Sequence, residues 1–254
     1  MKFITSALKF LFSIYGMANF LVVMVLIFPF IVIASFFGKV KGGNIIYSVC
    51  RFWGDACLFL DGVYHTNIYE CAHDRSKPYI FVSNHISYFD IPVMMKAVRN
   101  QNMRILGKAE MAKIPIFGFI YRNACVMVKR DNIRQRSESV QQLKEVLKKR
   151  ISVFICPEGT FNMTHKPLKD FYDGAFRIAI ETQTPLKPIL FLDSYDRLHY
   201  NSIFSFTPGR SRAVYLGETS TEGLTLHDVP LLKNKVYQQM EEGLIRYKAS
   251  WITN

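Results

Sequence analysis

No charged residue occurs between Lys9 and Lys39, and nothing else in the chain constrains its folding as strongly. Residues 20–37, FLVVMVLIFPFIVIASFF, are almost wholly apolar. A cleaved signal peptide has a shorter apolar centre and a small-residue cleavage site, so this segment is expected to be retained. A helix over residues 10–38 would run to roughly 43 Å, whereas a bilayer core is about 30 Å thick. Pro29 lies inside the run and predicts a kink or a break. Two arrangements satisfy these facts: a tilted helix that spans, and a bent helical pair that dips into one leaflet and returns. Lys2 and Lys9 precede the run, and Lys39, Lys41 and Arg51 follow it. Positive charge on both sides fits both ends facing the cytoplasm. The core helix of a soluble domain rarely stays uncharged for so long.

Residues 44–63 are a second apolar stretch, broken by Arg51, Asp55 and Asp61. That is the pattern of an amphipathic helix lying on a membrane or packing on a domain. From about Tyr64 the pattern changes, and short apolar runs alternate with helical ones. Residues 79–83, 103–106, 124–128, 152–156, 186–192 and 213–216 read as strands. Residues 134–149 place Val140, Leu143, Val146 and Leu147 on one helical face, and residues 231–248 do the same with Leu232, Val236, Met240 and Leu244. The alternation predicts an α/β protein: an αβ sandwich with a mixed, largely parallel sheet over residues 64–254, preceded by membrane-anchoring helices in residues 1–63.

Lysine and arginine number 32 against 20 acidic residues, a net charge of +12. Such a balance suits a polyanionic partner, and the adjoining apolar segment points to an anionic membrane surface. The basic residues accompany no recognisable nucleic-acid motif, so nucleic acid is not an expected partner. Five cysteines, Cys50, Cys57, Cys71, Cys125 and Cys156, form no C-x-x-C pair and are odd in number. A reducing, cytoplasmic setting is expected rather than a disulfide framework. The histidines show no zinc-like spacing with them, and no metal is expected.

Three segments carry candidate chemistry. In YIFVSNHISYFD, Asn84, His85 and Asp90 follow directly on a buried strand, where open α/β sheets place their ligands. His85 and Asp90 lie five residues apart, about 140° on a continuous helix at roughly 100° per residue. A direct pair therefore needs a turn between them, with Asp90 near the start of the next helix, where it is also a favourable cap. A carboxylate holding His Nδ1–H leaves Nε2 free as a base toward a substrate hydroxyl. The plainer possibility is that Asp90 only caps and His85 only turns.

The second segment runs from Lys108 to Arg130, punctuated by Pro115 and Gly118. A cation near a strand end can hold a phosphate, and an arginine does so bidentately. Lys113 and Arg122 read as a solvated face. In the third, a strand runs into Pro157-Glu158-Gly159-Thr160. Glycine lets the backbone approach a ligand closely, and backbone N–H groups after a strand suit an anion. Glu158, at the end of an apolar strand, needs a specific partner. Cys156 beside it reads as a small apolar residue rather than a nucleophile.

In this order and spacing the segments resemble the lysophosphatidic acid and glycerophospholipid acyltransferase family. Asn84, His85 and Asp90 match its N-H-x4-D block. Lys108, Pro115, Gly118 and Arg130 match the second block, and Pro157-Glu158-Gly159-Thr160 the third. The Pro-containing strand from Thr184 to Ile189 resembles the fourth. The resemblance implies His85 as general base oriented by Asp90. It implies Asn84, Lys108, Arg130, Glu158, Gly159 and Thr160 as substrate-binding residues. It also implies an acyl-CoA or acyl carrier protein donor, a lysophospholipid acceptor such as 1-acylglycerol-3-phosphate, membrane lipids as partners, and no cofactor. One departure stands out: Phe161 occupies the position where the family often has an arginine that helps bind the acceptor's phosphate. That leaves the acceptor open between lysophosphatidate, with Arg130, Lys166 or Lys169 supplying charge, and another lysolipid such as a lyso-amino-lipid. Other classes of function are a non-catalytic lipid-binding module and a hydrolase using Ser83 or Ser87, although no G-x-S-x-G elbow is present.

Overall fold

The uncharged run folds as part of one helix, α1 (Lys2–Ser35), in a computed structural model that describes residues 2–128 and 133–253. The expected break at Pro29 does not occur, and the helix continues through it. A proline deletes one backbone donor, and packing of the neighbouring turns can carry the helix past it. Here Ile27, Ile31 and Ala34 are buried on either side. The reversal comes later, at a π-helical turn, Gly38–Gly42, which leads into α2 (Gly43–Leu60). The two helices lie antiparallel: Tyr15 Oη donates to Leu60 O at 3.0 Å, and Asn19 Nδ2 to Asp61 Oδ1 at 2.7 Å. At the turn the nearly buried Arg104 donates to Lys39 O, Val40 O and Asn44 Oδ1, fastening the hairpin to the domain.

The α2 helix is amphipathic as expected. Ile46, Tyr47, Cys50, Trp53, Cys57 and Leu58 are buried, while Ile45, Phe52 and Phe59 are exposed. One face thus packs inward and the other leaves large apolar groups uncovered.

Among the described residues seven strands follow: β1 (Val63–Tyr69), β2 (Ile80–Ser83), β3 (Met103–Lys108), β4 (Cys125–Val128), β5 (Ser152–Ile155), β6 (Leu186–Phe191) and β7 (Gly209–Tyr215). Their order is β1-β7-β6-β2-β5-β3-β4. Strands β2 to β6 run parallel, while β7 is antiparallel to β6 and parallel to β1, so the sheet is mixed and mostly parallel. Every residue of β2, β5 and β6 is buried, which is why each reads as a largely apolar run, although β6 also buries Lys187. Strand β1 is absent from the sequence reading because it lies at the edge of the sheet, where VYHTNIY is largely half-exposed and no apolar run is required. Strand β7 starts in the polar GRSR, four residues before its apolar half.

Alternate residues of the central strands feed two cores. Phe81 and Phe154 pack with α1, α2 and α3 (Asp90–Ala97). Ile80, Val82, Val153 and Ile155 pack with α5 (Ile133–Lys148), α6 (Gly174–Thr182) and α8 (Val229–Arg246). Helix α4 (Phe117–Ala124) joins the first layer, and the short α7 (Ser194–Arg197) follows β6.

Candidate active site

The parallel strands end along one edge, and β2 and β5 deliver the chemistry there. After Ser83 the chain turns, and Asp90 N donates to Ser87 O before α3 begins at Asp90. The turn brings His85 Nδ1 to 2.7 Å from Asp90 Oδ2. The same oxygen accepts the backbone N–H groups of Ile86 at 2.9 Å and Ser87 at 3.0 Å. Asp90 is therefore both the cap of the turn and the partner of the imidazole. Its side chain is fully buried while that of His85 is 25% exposed. An ionised carboxylate only accepts, so this contact suits the tautomer that carries its proton on Nδ1 and keeps the Nε2 lone pair free.

Asn84 and Glu158 are both placed as scaffolding. The buried Asn84 amide spans the backbone of Phe191: Nδ2 donates to its carbonyl at 2.9 Å, and Oδ1 accepts its N–H at 2.8 Å. Glu158, 1% exposed, accepts His85 N–H with Oε1 and Lys169 N–H with Oε2, both at 2.9 Å. Burial pushes its carboxyl up to about 7, while those two N–H groups pull the other way. Their polar atoms are engaged by backbone groups, and neither side chain lines the cavity described next. Gly159 turns with φ +74°, a conformation that favours glycine.

A cavity of about 1070 Å³ opens beside His85. Lys108, Gly159, Thr160, Phe161 and Lys169 line it near the loops, and Met24, Ile27, Cys50, Trp53 and Ile120 line it deeper. It is continuous from the β2 and β5 loops to the α1–α2 hairpin. Lys169 Nζ donates to Thr160 Oγ1 at 2.5 Å. Phe161, in the place of the expected arginine, forms a T-shaped pair with the His85 ring, with centroids 4.5 Å apart at 70°. Lys108, at the end of β3, is exposed on this wall. Lys166 is exposed on the same loop, and Arg122 donates to Ala112 O. Arg130 lies outside the described residues.

In the sequence, Phe161 and Lys169 stand out only through the resemblance, as a departure from it and as a compensating charge. Only the fold brings Lys169 back onto Thr160, nine positions earlier. Ser83 and Ser87 are both fully buried, and Ser87 Oγ donates to Leu198 O at 2.5 Å. Neither presents a hydroxyl to the cavity, which removes the basis for a serine hydrolase. Among the described residues no group of His, Cys, Asp and Glu could hold a metal ion.

The protein is thus an α/β sandwich carrying an N-terminal helical hairpin, with an imidazole–carboxylate pair opening on a mostly apolar cavity. Residues 64–192 match the family model described as Acyltransferase, and the chain belongs to that family. It is similar to 1-acyl-sn-glycerol-3-phosphate acyltransferase alpha of Homo sapiens, 35% identical over 170 residues that cover 65% of this chain and 58% of that protein. It is also similar to the human beta enzyme of the same name, 26% identical over 167 residues covering 65% of this chain and 59% of that one. The chain thus spans less than three fifths of the length of these relatives. Among solved structures, the 1-acyl-sn-glycerophosphate (LPA) acyltransferase PlsC of Thermotoga maritima superposes with a TM-score of 0.75, covering 100% of both chains at 21% identity. That likeness establishes the fold.

Proposed function

We propose that the protein transfers a fatty acyl group from a thioester donor, acyl-CoA or acyl carrier protein, to the free hydroxyl of 1-acylglycerol-3-phosphate in membrane phospholipid synthesis. The observation that carries this reading is the His85–Asp90 pair, 2.7 Å apart on the wall of a long, mostly apolar cavity. His85 Nε2 takes the proton of the acceptor hydroxyl as its oxygen bonds to the thioester carbonyl carbon. Collapse of the resulting tetrahedral species breaks the C–S bond, and the imidazolium returns the proton to the leaving thiolate. Asp90 fixes the tautomer and stabilises the imidazolium in between. The step balances with no prosthetic group. Thr160, Lys169 and Lys108 supply hydroxyl and ammonium donors for anionic groups of the substrates, and Arg130 is proposed to add to them.

The same reading places the protein on a membrane. Ser6–Ser35 is long and apolar enough to cross one. However, α1 contacts the rest of the protein along much of its length, from Ser13 on Phe206 to Phe28 on Phe119. Those contacts are about 22 Å apart along the helix at 1.5 Å per residue. A straight crossing would drag the domain into hydrocarbon, which supports a hairpin lying within one leaflet. The catalytic domain would then face the cytoplasm, where acyl-CoA and acyl carrier protein are found.

The test is to incubate the purified protein with acyl-CoA and with acyl carrier protein against a lysolipid panel, and to identify products by mass. The panel includes 1-acylglycerol-3-phosphate and a lyso-amino-lipid, because Phe161 puts an apolar ring where a cation was expected. Failure to form any doubly acylated lipid with either donor sinks the reading.

A further inference from the structure

The imidazole of His85 packs against Phe161, which in turn packs against Tyr88. The His85 and Phe161 rings form a T-shaped pair with centroids 4.5 Å apart, and Tyr88 meets Phe161 in turn at 4.8 Å and 89°. Both rings line the cavity. The loop that carries Phe161 is held firmly. Asn162, 2% exposed, donates its backbone N–H to His85 O at 2.8 Å, and its side chain bonds to Lys166 O and Thr164. Phe161 is therefore anchored through its neighbour to the residue whose ring it packs against.

This arrangement bears on a choice the base cannot make alone. An imidazole activates water as readily as it activates an alcohol, and water is the more abundant nucleophile. A thioester beside an exposed base would be hydrolysed: the water oxygen would bond to the carbonyl carbon, the C–S bond would break, and fatty acid and free thiol would leave. Excluding water from a site is a recognised way to suppress such side reactions. An apolar ring against the imidazole gives water no hydrogen-bond partner on that side, whereas a lipid hydroxyl can still approach through the apolar cavity.

We propose that Phe161, buttressed by Tyr88, is a positioning residue that keeps water off His85, so that the acyl group passes to a lipid alcohol rather than to water. The proposal rests on the reading of His85 as the base, and the experiment separates the two.

Free-thiol release from acyl-CoA is measured without lysolipid, which reports hydrolysis, and lysolipid acylation is measured alongside it. The proteins are wild type, Phe161→Ala, Phe161→Leu, Tyr88→Ala and His85→Ala. Phe161 is only half-buried and Tyr88 is 51% exposed, so these truncations leave the cores intact. The ratio of hydrolysis to transfer is expected to rise about tenfold in Phe161→Ala, the equivalent of about 1.4 kcal/mol between the two barriers. It should move in the same direction by a smaller factor in Tyr88→Ala, and little in Phe161→Leu, which keeps apolar bulk. A ratio unchanged in both alanine variants, with thiol release lost in His85→Ala, overturns the water shield and leaves the base assignment standing. Thiol release that survives in His85→Ala overturns both.

Discussion

Glu158 joins two loops that the sequence keeps far apart: its Oε1 accepts the backbone N–H of His85 and its Oε2 that of Lys169, each at 2.9 Å. The carboxylate is 1% exposed, so these bonds are made away from solvent. What looks like a turn motif following a strand is, in three dimensions, the clamp that sets the height of the imidazole above the cavity.

Glu158→Gln is the sharpest test of that clamp. A carboxylate accepts at both oxygens, whereas an amide accepts at one and presents N–H₂ at the other. One of the two backbone donors is then left facing a donor, which costs about 1–3 kcal/mol when buried. Both variant stability and lysolipid turnover are expected to fall. The sign of the pH dependence is fixed too. Burial raises this carboxyl from its ordinary 4.5 to about 7, so between those values the folded protein binds more protons than the unfolded one. Its contribution to stability therefore falls as pH rises through that window and is level above it. Denaturation of the detergent-solubilised protein at several pH values checks this. Identical pH slopes in wild type and Glu158→Gln would contradict it.

Asp90→Asn separates holding from charging. The amide oxygen can still accept His85 Nδ1–H and the N–H groups of Ile86 and Ser87, so the turn should survive. What disappears is the negative charge beside the imidazolium of the proposed transfer step. The rate constant kcat is expected to drop by about 10²- to 10⁴-fold, the usual span for a general acid–base contribution, with KM for both substrates changed little. A kcat within threefold of wild type would remove Asp90 from the proposed chemistry.

Some of this was legible in the chain and some was not, for physical reasons. Strands β2, β5 and β6 stand out because burial on both faces favours apolar residues, even though β6 admits the buried Lys187. The edge strand β1 needs no such run and leaves no mark. The geometry required of His85 and Asp90, a turn ending in a helix start, follows from their five-residue spacing and is what the structure contains. By contrast, Asn84 and Glu158 find partners at Phe191 and Lys169, and no local pattern announces a bond to a distant backbone. Pro29 does not break the helix, because the rule for proline describes a helix in isolation, and α1 is braced by α2 and the domain.

Gly118 offers a test of backbone packing beside the cavity. A side chain there would put a Cβ 2.3 Å from the carbonyl oxygen of Ala112. That oxygen also accepts from Arg122, so the turn cannot easily open. Just before it, Phe117 N–H donates to Pro115 O at 2.6 Å, with Ile116 at φ +60°, a tight turn with no slack. Gly118→Ala is expected to destabilise the protein by about 1–3 kcal/mol, the range for forcing an extra methyl into packed surroundings. A melting temperature equal to wild type would show that the 3₁₀ turn Ala109–Lys113 gives way freely.

Membrane attachment should involve more than the helical hairpin. The loop after α7 carries Ile203 and Phe204, 48% and 43% exposed, and the Phe204 ring lies 5.0 Å from that of Phe10 on α1. Two residues further on, Phe206 donates its N–H to Ser13 Oγ and packs on Phe12, so the loop is pinned to the helix. Its tip therefore continues the uncovered apolar face formed by Leu8, Leu11 and Ile14. Replacing both tip residues with glutamate removes apolar area and adds charge that an anionic surface repels. Burial of a large apolar side chain is worth about 1.5–3 kcal/mol, so even partial insertion of the pair corresponds to a loss of at least about tenfold in partitioning. Co-flotation of the Ile203→Glu, Phe204→Glu protein with anionic phospholipid vesicles should fall by that factor, while its turnover in detergent micelles, where no bilayer is needed, stays at the wild-type level. Undiminished flotation would mean that the loop tip stays in water and that α1 and α2 alone hold the protein to the lipid.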